Sequence, residues 1–291
     1  MNVDRKHKQL GMLAMLVCAI LWSTGGFLIK SITWNPLFIA GARSLFSAIP
    51  VVVLMKATGR KMRVNKWTVA AAVSLAVCLL MFVVSTTYTT AANAVMLQYA
   101  SPIWILLMSA LFFKEKLQGK QILVVVLTAV GVVLFFMDQL GPGSVFGNVC
   151  AIIGGIGYGA MMMFSSQNAD DDESRYTGIF MAHLLVAAVG IPSAFFSPIV
   201  FTGKECLFVF ILGIFQLGIP YVLFGYAAKY CSPLSMNMIA LIEPLMNPIW
   251  VALMIGEVPG LFAFIGAAII LVVVMGWCII EARETTPENA S

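Results

Sequence analysis

PIWILLMSALFFKE (residues 102–115) returns later in the chain as PLMNPIWVALMIGE (residues 244–257). In each stretch a proline stands thirteen positions ahead of a glutamate across almost wholly apolar sequence, and the two copies lie 142 positions apart. The same offset pairs Phe82 with Phe224, Tyr88 with Tyr230, Met96 with Met238, and Ala110-Leu111 with Ala252-Leu253. Near the start of each half, GMLAMLVCAILW (residues 11–22) matches GNVCAIIGGIGY (residues 147–158) at an offset of 136, and Arg43 meets His183 at 140. A repeat of this length means that one structural unit occurs twice.

The nature of the unit follows from composition. Of 291 residues, 61% are hydrophobic and 10% charged, with a mean hydropathy of +0.97; soluble domains carry roughly 25% charged residues. A compact soluble domain needs more polar cover than this chain owns, so lipid must supply the other side. Apolar runs near the ~20 residues that an α-helix needs to cross hydrocarbon fall at about 10–29, 35–55, 67–87, 91–113, 121–137, 144–165, 176–197, 206–228, 234–255 and 260–280. Short alternating segments that would signal a barrel are missing. The expectation is an all-α membrane protein of ten transmembrane helices. Residues 1–140 hold the first five and residues 141–291 the second five with a short tail. Because five is odd, the second repeat must lie inverted relative to the first, around a central cavity.

The basic segment before the first run reads as the lead-in to a retained helix, since that run has a counterpart later in the chain. With the N-terminus in the cytoplasm, every Lys and Arg except Lys30, Lys204 and Arg43 falls in a cytoplasmic segment, as the positive-inside rule asks. Both termini are then cytoplasmic, in a plasma membrane. The acidic run ADDDES (residues 169–174) reads as a solvated loop. Cys18, Cys78, Cys150, Cys206, Cys231 and Cys278 lie in or beside apolar runs without CxxC spacing and read as small hydrophobes.

Two five-helix halves, each with a proline in the fourth helix and a Glu at its end, resemble the EamA type of the drug/metabolite transporter superfamily. The landmarks are ILWSTGGFLIK in the first helix, FIAGARSLFSA in the second, SPIW with FFKE in the fourth, and IEPL with MIGE in the ninth. Val124 departs from the pattern, since the second half and the family have glycine there, as at Gly266. The resemblance covers most of the chain and implies a secondary transporter working by alternating access. Its members move amino acids, nucleotide-related metabolites, quaternary ammonium compounds and other small polar solutes.

Charged groups deep in a span are costly and mark function by default. At ~1.5 Å per residue, Glu243 lies roughly 14 Å into the ninth span, Arg43 roughly 12 Å into the second and His183 roughly 10 Å into the seventh. Pro244 and Pro248 each remove an amide donor, leaving the carbonyls of Ala240 and Pro244 without helical partners. Such backbone survives in a bilayer only beside other protein groups or a water-filled cavity, where transporters build their sites. Pro102 and Pro220 are the other expected breaks. Glu243 is therefore a candidate proton carrier or anchor for a substrate ammonium; the alternative is a structural pair with Arg43. Arg43 offers a bidentate grip on a carboxylate, or a tie to helix-end carbonyls or to Glu243. His183 is its quasi-equivalent in the second half. The expected substrate-binding set is Trp22, Arg43, Gln98, Tyr99, Tyr158, His183, Glu243 and Asn247, within a polar and aromatic lining that includes Ser23, Asn93, Ser101, Trp104, Gln216, Tyr221 and Trp250. Ala151, Gly155 and Gly159, spaced by four, form a face for close helix packing. Glu115 and Glu257 read as helix-end or gate groups.

Neither a nucleotide loop of the GxxxxGK[ST] type nor an HExxH sequence occurs, which argues against an enzyme and against ATP-driven transport. A channel and a non-transporting receptor or structural subunit remain as alternatives. The expected substrate is an amino acid or related metabolite, with export placed ahead of uptake of an organic cation such as a quaternary ammonium compound. Protons are the candidate co-substrate. No cofactor, metal or nucleic-acid partner is expected; lipid surrounds the protein, and a monomer is favoured.

Overall fold

The computed structural model describes residues 2–89, 94, 97–114, 116–137, 144–246 and 261–284, with backbone alone at 2–5, 27, 30, 136, 263, 278 and 281–284. Among these residues every regular element is helical. The helices are α1 (Asn2–Trp22), α2 (Gly25–Lys30), α3 (Pro36–Ala57), α4 (Lys66–Tyr88), α5 (Ser101–Phe113), α6 (Gly119–Phe136), α7 (Val145–Ser166), α8 (Asp172–Gly190), α9 (Gly203–Ile211), α10 (Ile219–Tyr230), α11 (Pro233–Ala240) and α12 (Leu261–Glu284). Seven residues of π-helix (Leu212–Gly218) join α9 to α10, and a 3-10 turn (Ile191–Phe195) ends α8.

The starts of these helices are written locally. Asn35, Asn65, Ser144, Asp171, Thr202 and Ser232 each accept a hydrogen bond from a first-turn amide, satisfying donors that the helix cannot. Pro36 and Pro233 follow such caps, where the missing N–H costs nothing.

Among the described residues, five helical stretches are long and apolar enough to cross a membrane: Pro36–Ala57, Lys66–Tyr88, Val145–Ser166, Asp172–Phe195 and Gly203–Tyr230. Several of the remaining apolar runs are interrupted. The first breaks at Ser23 and Thr24, between α1 and α2. The fourth contains a turn at Tyr99 and Ala100, so Pro102 opens α5 instead of bending a continuous helix. The ninth stops at Leu241 and resumes over residues 242–246, placing Pro244 in the first turn of the new piece. Pro220 is the second residue of α10, immediately after the π segment. Pro50, by contrast, sits inside an unbroken α3. Pro248 and Asn247 lie outside the described residues, as do Asn93, Glu115, Trp250 and Glu257.

Packing is pairwise. α4 runs along α7 and α8, α3 along α8 and the π segment, α1 along α10, and α6 along α12; α5 packs on α7 and α11 on α1. One close crossing joins α3 to α8: a Cβ on Gly190 would stand 2.3 Å from the Leu37 carbonyl oxygen, and one on Gly41 2.7 Å from the Ile191 nitrogen. The α7 face bearing Gly155 and Gly159 meets the backbone of Leu97, Gln98 and Ser101, so its small residues bring the turn before α5 against α7. Large apolar side chains face outward in stripes, as at Ile122, Leu123, Val126, Val130 and Val133 on α6 and at Phe264, Val272, Met275 and Ile279 on α12. Exposed apolar surface on this scale belongs against lipid.

The acidic run is not the solvated loop that its composition suggests. Asp172 takes Arg60 at 2.7 Å, Arg175 at 2.6 Å and Lys229 at 3.3 Å, and Asp171 takes Arg63 at 3.5 Å. Glu173 accepts the Lys61 amide. Arg175 is 1% exposed. It also donates to the carbonyls of Gly225, Asn168 and Ala169, tying the start of α8 to α10 and to the turn after α7. Clustered cations on three separate segments drew the acids in, which a run read by itself cannot reveal.

Candidate functional site

A small cavity of about 30 Å³ lies where the irregular segments meet. Its lining comes from the last residue of α1 (Trp22), from α3 (Arg43), from α4 (Cys78, Leu79, Phe82), from the turn before α5 (Gln98), from α7 (Tyr158), from the π segment and α10 (Gln216, Leu217, Tyr221), and from the restart after α11 (Glu243). Four of these contributors sit at a helix end, a turn, a π segment or a break. Backbone that departs from the α-helix frees carbonyls and amides, which a membrane tolerates only where protein groups or a polar cavity receive them. One such repair is visible: Gln216 Nε2 donates to the carbonyl of Trp22 at 3.2 Å, an oxygen that α1 leaves free by ending there.

Glu243 stands half-buried on the cavity wall, and its Oε2 accepts the Tyr99 hydroxyl at 2.5 Å. Arg43 is 1% exposed. Its Nη2 reaches the Leu79 carbonyl at 3.4 Å, while its Nε and Nη1 have no hydrogen-bond partner. The ion pair between Arg43 and Glu243 that sequence left open does not form, although both line the same space. Each instead leans on a neighbour from the first half of the chain.

The aromatic residues form one cluster. Trp22 packs on Tyr158 and Tyr221 with ring centres 6.2 and 5.3 Å apart, and Tyr99 packs edge-on to Tyr158 at 6.2 Å. Trp22 Nε1, the Tyr158 hydroxyl and Gln216 Oε1 are all buried without a partner.

Trp22, Arg43, Gln98, Tyr158 and Glu243 therefore meet as the sequence anticipates, and Tyr99 joins them through its bond to Glu243. His183 does not line the cavity. It lies behind the wall, wholly buried, with Nε2 2.9 Å from Ser47 Oγ and its ring against Tyr221 at 5.2 Å. Ser101 accepts Asn237 Nδ2 at 2.7 Å, joining α5 to α11. Cys78, Leu79, Phe82 and Leu217 were missed. They are ordinary apolar residues of apolar helices; the crossing of α4 with α7 and α3 turns the first three inward, and the π segment carries Leu217 to the same wall.

A broken-helix polar cavity inside an apolar bundle is the architecture of a membrane carrier, and sequence comparison agrees. The profile of the EamA-like transporter family matches residues 9–137 and again 145–277; the chain belongs to that family. It is similar to an uncharacterized transporter of Archaeoglobus fulgidus, 26% identical over 269 residues that cover 92% of this chain and 96% of that one. A second uncharacterized transporter, from Clostridium kluyveri, is 24% identical over 90% of this chain and 91% of its own. A solved crystal structure shares the fold at a TM-score of 0.77 and 19% identity, covering 95% of this chain and 99% of that one.

Proposed function

We propose that the protein is a secondary active transporter that carries a small polar metabolite, an amino acid or related compound, across the plasma membrane by alternating access, with export as the favoured direction. The observation that carries this reading is the cavity itself: polar and charged side chains gathered at helix breaks inside a lipid-facing bundle, in a member of a transporter family. A purely structural core would be filled with apolar side chains at much lower cost.

The two halves, residues 1–140 and 141–291, are read as inverted copies of five helices with both termini in the cytoplasm. Two facts support this. The family profile matches once in each half. The packing pairs also exchange under the repeat: α4 on α7 corresponds to α10 on α1, α5 on α7 to α11 on α1, and α4 on α8 to the π segment on α3, while α3 on α8 and α6 on α12 map onto themselves. Such symmetry offers two conformations of similar energy, one open to each side.

Glu243 is the proposed coupling group. It is the carboxylate of the cavity and is held by a phenol able to follow a change in its protonation. Its place among Trp22, Tyr158 and Tyr221 also favours the second reading, uptake of an organic cation such as a quaternary ammonium compound. The test is accumulation of radiolabelled solutes in proteoliposomes under an imposed pH gradient, for the wild type and Glu243→Gln. Uphill accumulation that follows the proton gradient and vanishes in the variant is expected. A variant with unaltered pH dependence would remove Glu243 from coupling, and the absence of uphill flux for every solute would point to a receptor, channel or structural subunit.

A further inference from the structure

Arg43 sets a problem that the fold alone does not solve. Its guanidinium is buried on the cavity wall with Nε and Nη1 unpartnered and a single long contact, 3.4 Å, from Nη2. Buried polar groups are almost always satisfied, and a buried charge without a counter-ion is among the costliest groups to keep. Three further unpartnered polar atoms, Trp22 Nε1, the Tyr158 hydroxyl and Gln216 Oε1, belong to residues of the same wall. Among the described residues, five of the nine buried polar atoms without a partner thus belong to this wall; the others, Ser44 Oγ, Trp104 Nε1, His183 Nδ1 and Asn237 Oδ1, belong to residues outside it.

The chemistry of that ligand can be read from the wall. The Nη1–Nη2 edge of a guanidinium, with the second hydrogen of Nη2, matches the two oxygens of a carboxylate. A ligand bearing only a carboxylate, however, would enter beside Glu243 and be repelled by it. A ligand bearing only a cation would meet Glu243 favourably but leave Arg43 unpaired and repel it. A molecule with both charges satisfies both walls. Glu243 keeps Oε2 on Tyr99 and leaves Oε1 for an ammonium, and the faces of Trp22, Tyr158 and Tyr221 suit the same cationic end. The cavity is small, about 30 Å³, so any ligand that it admits is a small molecule.

We infer that Arg43 and Glu243 are the two poles of a receptor for a small zwitterion, with the carboxylate seated on Arg43 and the ammonium on Glu243. This rests on the transport reading of the same cavity and assigns its ligand class and orientation. It also explains why the two charges face one cavity without pairing: a direct pair would have to be broken before each binding event.

The test uses purified full-length protein and three matched sets of probes: alanine with ethylamine and propionate, leucine with isoamylamine and 4-methylpentanoate, and phenylalanine with phenethylamine and 3-phenylpropionate. Binding is read from quenching of intrinsic tryptophan fluorescence. At least one zwitterion should bind at least about tenfold more tightly than both of its single-charge analogues, the lower end expected for one charged hydrogen-bonded contact. Arg43→Gln should abolish the preference over the amine while leaving the affinity for the amine unchanged or improved, and Arg43→Lys should keep part of it. Because the comparison among analogues is made on the wild type, a variant that fails to fold does not decide the result. An amine that binds as well as its zwitterion would overturn the inference, as would failure of all nine probes. If proteoliposomes then accumulate some other solute, only the ligand class has failed; if they accumulate none, the transport reading has failed with it.

Discussion

Arg175→Ala should destabilise the protein more than any other single change at the α8 end of the bundle. The wild-type guanidinium, 1% exposed, serves four acceptors: the carbonyls of Gly225, Asn168 and Ala169 at 2.5, 2.7 and 2.8 Å, and Asp172 at 2.6 Å. Removing one partner of a buried ion pair costs about 3–5 kcal/mol. The lower part of that range applies, because Arg60 and Lys229 remain on Asp172. At about 2 °C per kcal/mol for a chain of this size, the melting temperature should fall by roughly 6–8 °C. Arg175→Lys keeps the charge but lacks the planar fork, and should fall about half as far. The assay is thermal denaturation in detergent, followed by tryptophan fluorescence and by retention of the monodisperse peak in size exclusion. A double-mutant cycle with Asp172→Asn should return a coupling of at least about 1 kcal/mol. If Arg175→Ala melted within about 1 °C of wild type, or if the cycle were additive, the network would be a surface feature and the reasoning would be wrong.

Further expectations concern the crossing, the cap and the cavity. Gly41→Val should cost about 1–3 kcal/mol as an overpacked contact, because its Cβ would meet backbone of Gly190 and Ile191 within 3 Å; Gly276→Ala, whose Cβ meets nothing within 4 Å, is the control and should melt no lower than wild type. The Asp171 carboxyl is held below its ordinary range: burial pushes it up, but hydrogen bonds from the Ser174 amide and hydroxyl and the charges of Arg63 and Arg175 outweigh that. Its folded-state pKa is thus lower than its unfolded one. The stability it contributes should be complete above about pH 4 and fade as the pH falls below the unfolded value of about 3.9; Asp171→Asn should flatten this acid limb of the melting curve. Tyr99→Phe frees Oε2 of Glu243 and should slow solute flux about tenfold, the effect of losing one bond to a charged group, with little change in melting temperature. Unchanged flux would separate Tyr99 from the site.

Much of the architecture was legible because a bilayer imposes strong local rules. Five long helices begin or end within a few residues of their apolar runs, since helix length is set by hydrocarbon thickness and the starts by cap residues such as Asn35, Asn65 and Ser144. Glu243 beside Pro244 marked the cavity because a carboxylate at a proline break has few other places to go. Legibility failed where the outcome depends on a partner distant in sequence. The π segment at Leu212–Gly218 carries no warning beyond Pro220, yet it turns Gln216 toward Trp22. Asp172 looked solvated because its cations lie on other segments, at Arg60 and Lys229.

Sequence by itself determined that the chain is helical, membrane-embedded and a member of the EamA-like transporter family, whose profile it matches twice, because composition and residue spacing are properties of the chain that no packing can alter. It also named the charged residues that a membrane interior would not accept without a reason. Only the tertiary structure decided how those charges stand to one another. Arg43 and Glu243 line one cavity without pairing, Tyr99 holds the carboxylate, and His183 is withdrawn behind Tyr221. Those relations turn on the rotation of each helix about its axis and on where each break falls, and both are set by side chains more than a hundred residues apart meeting in the fold.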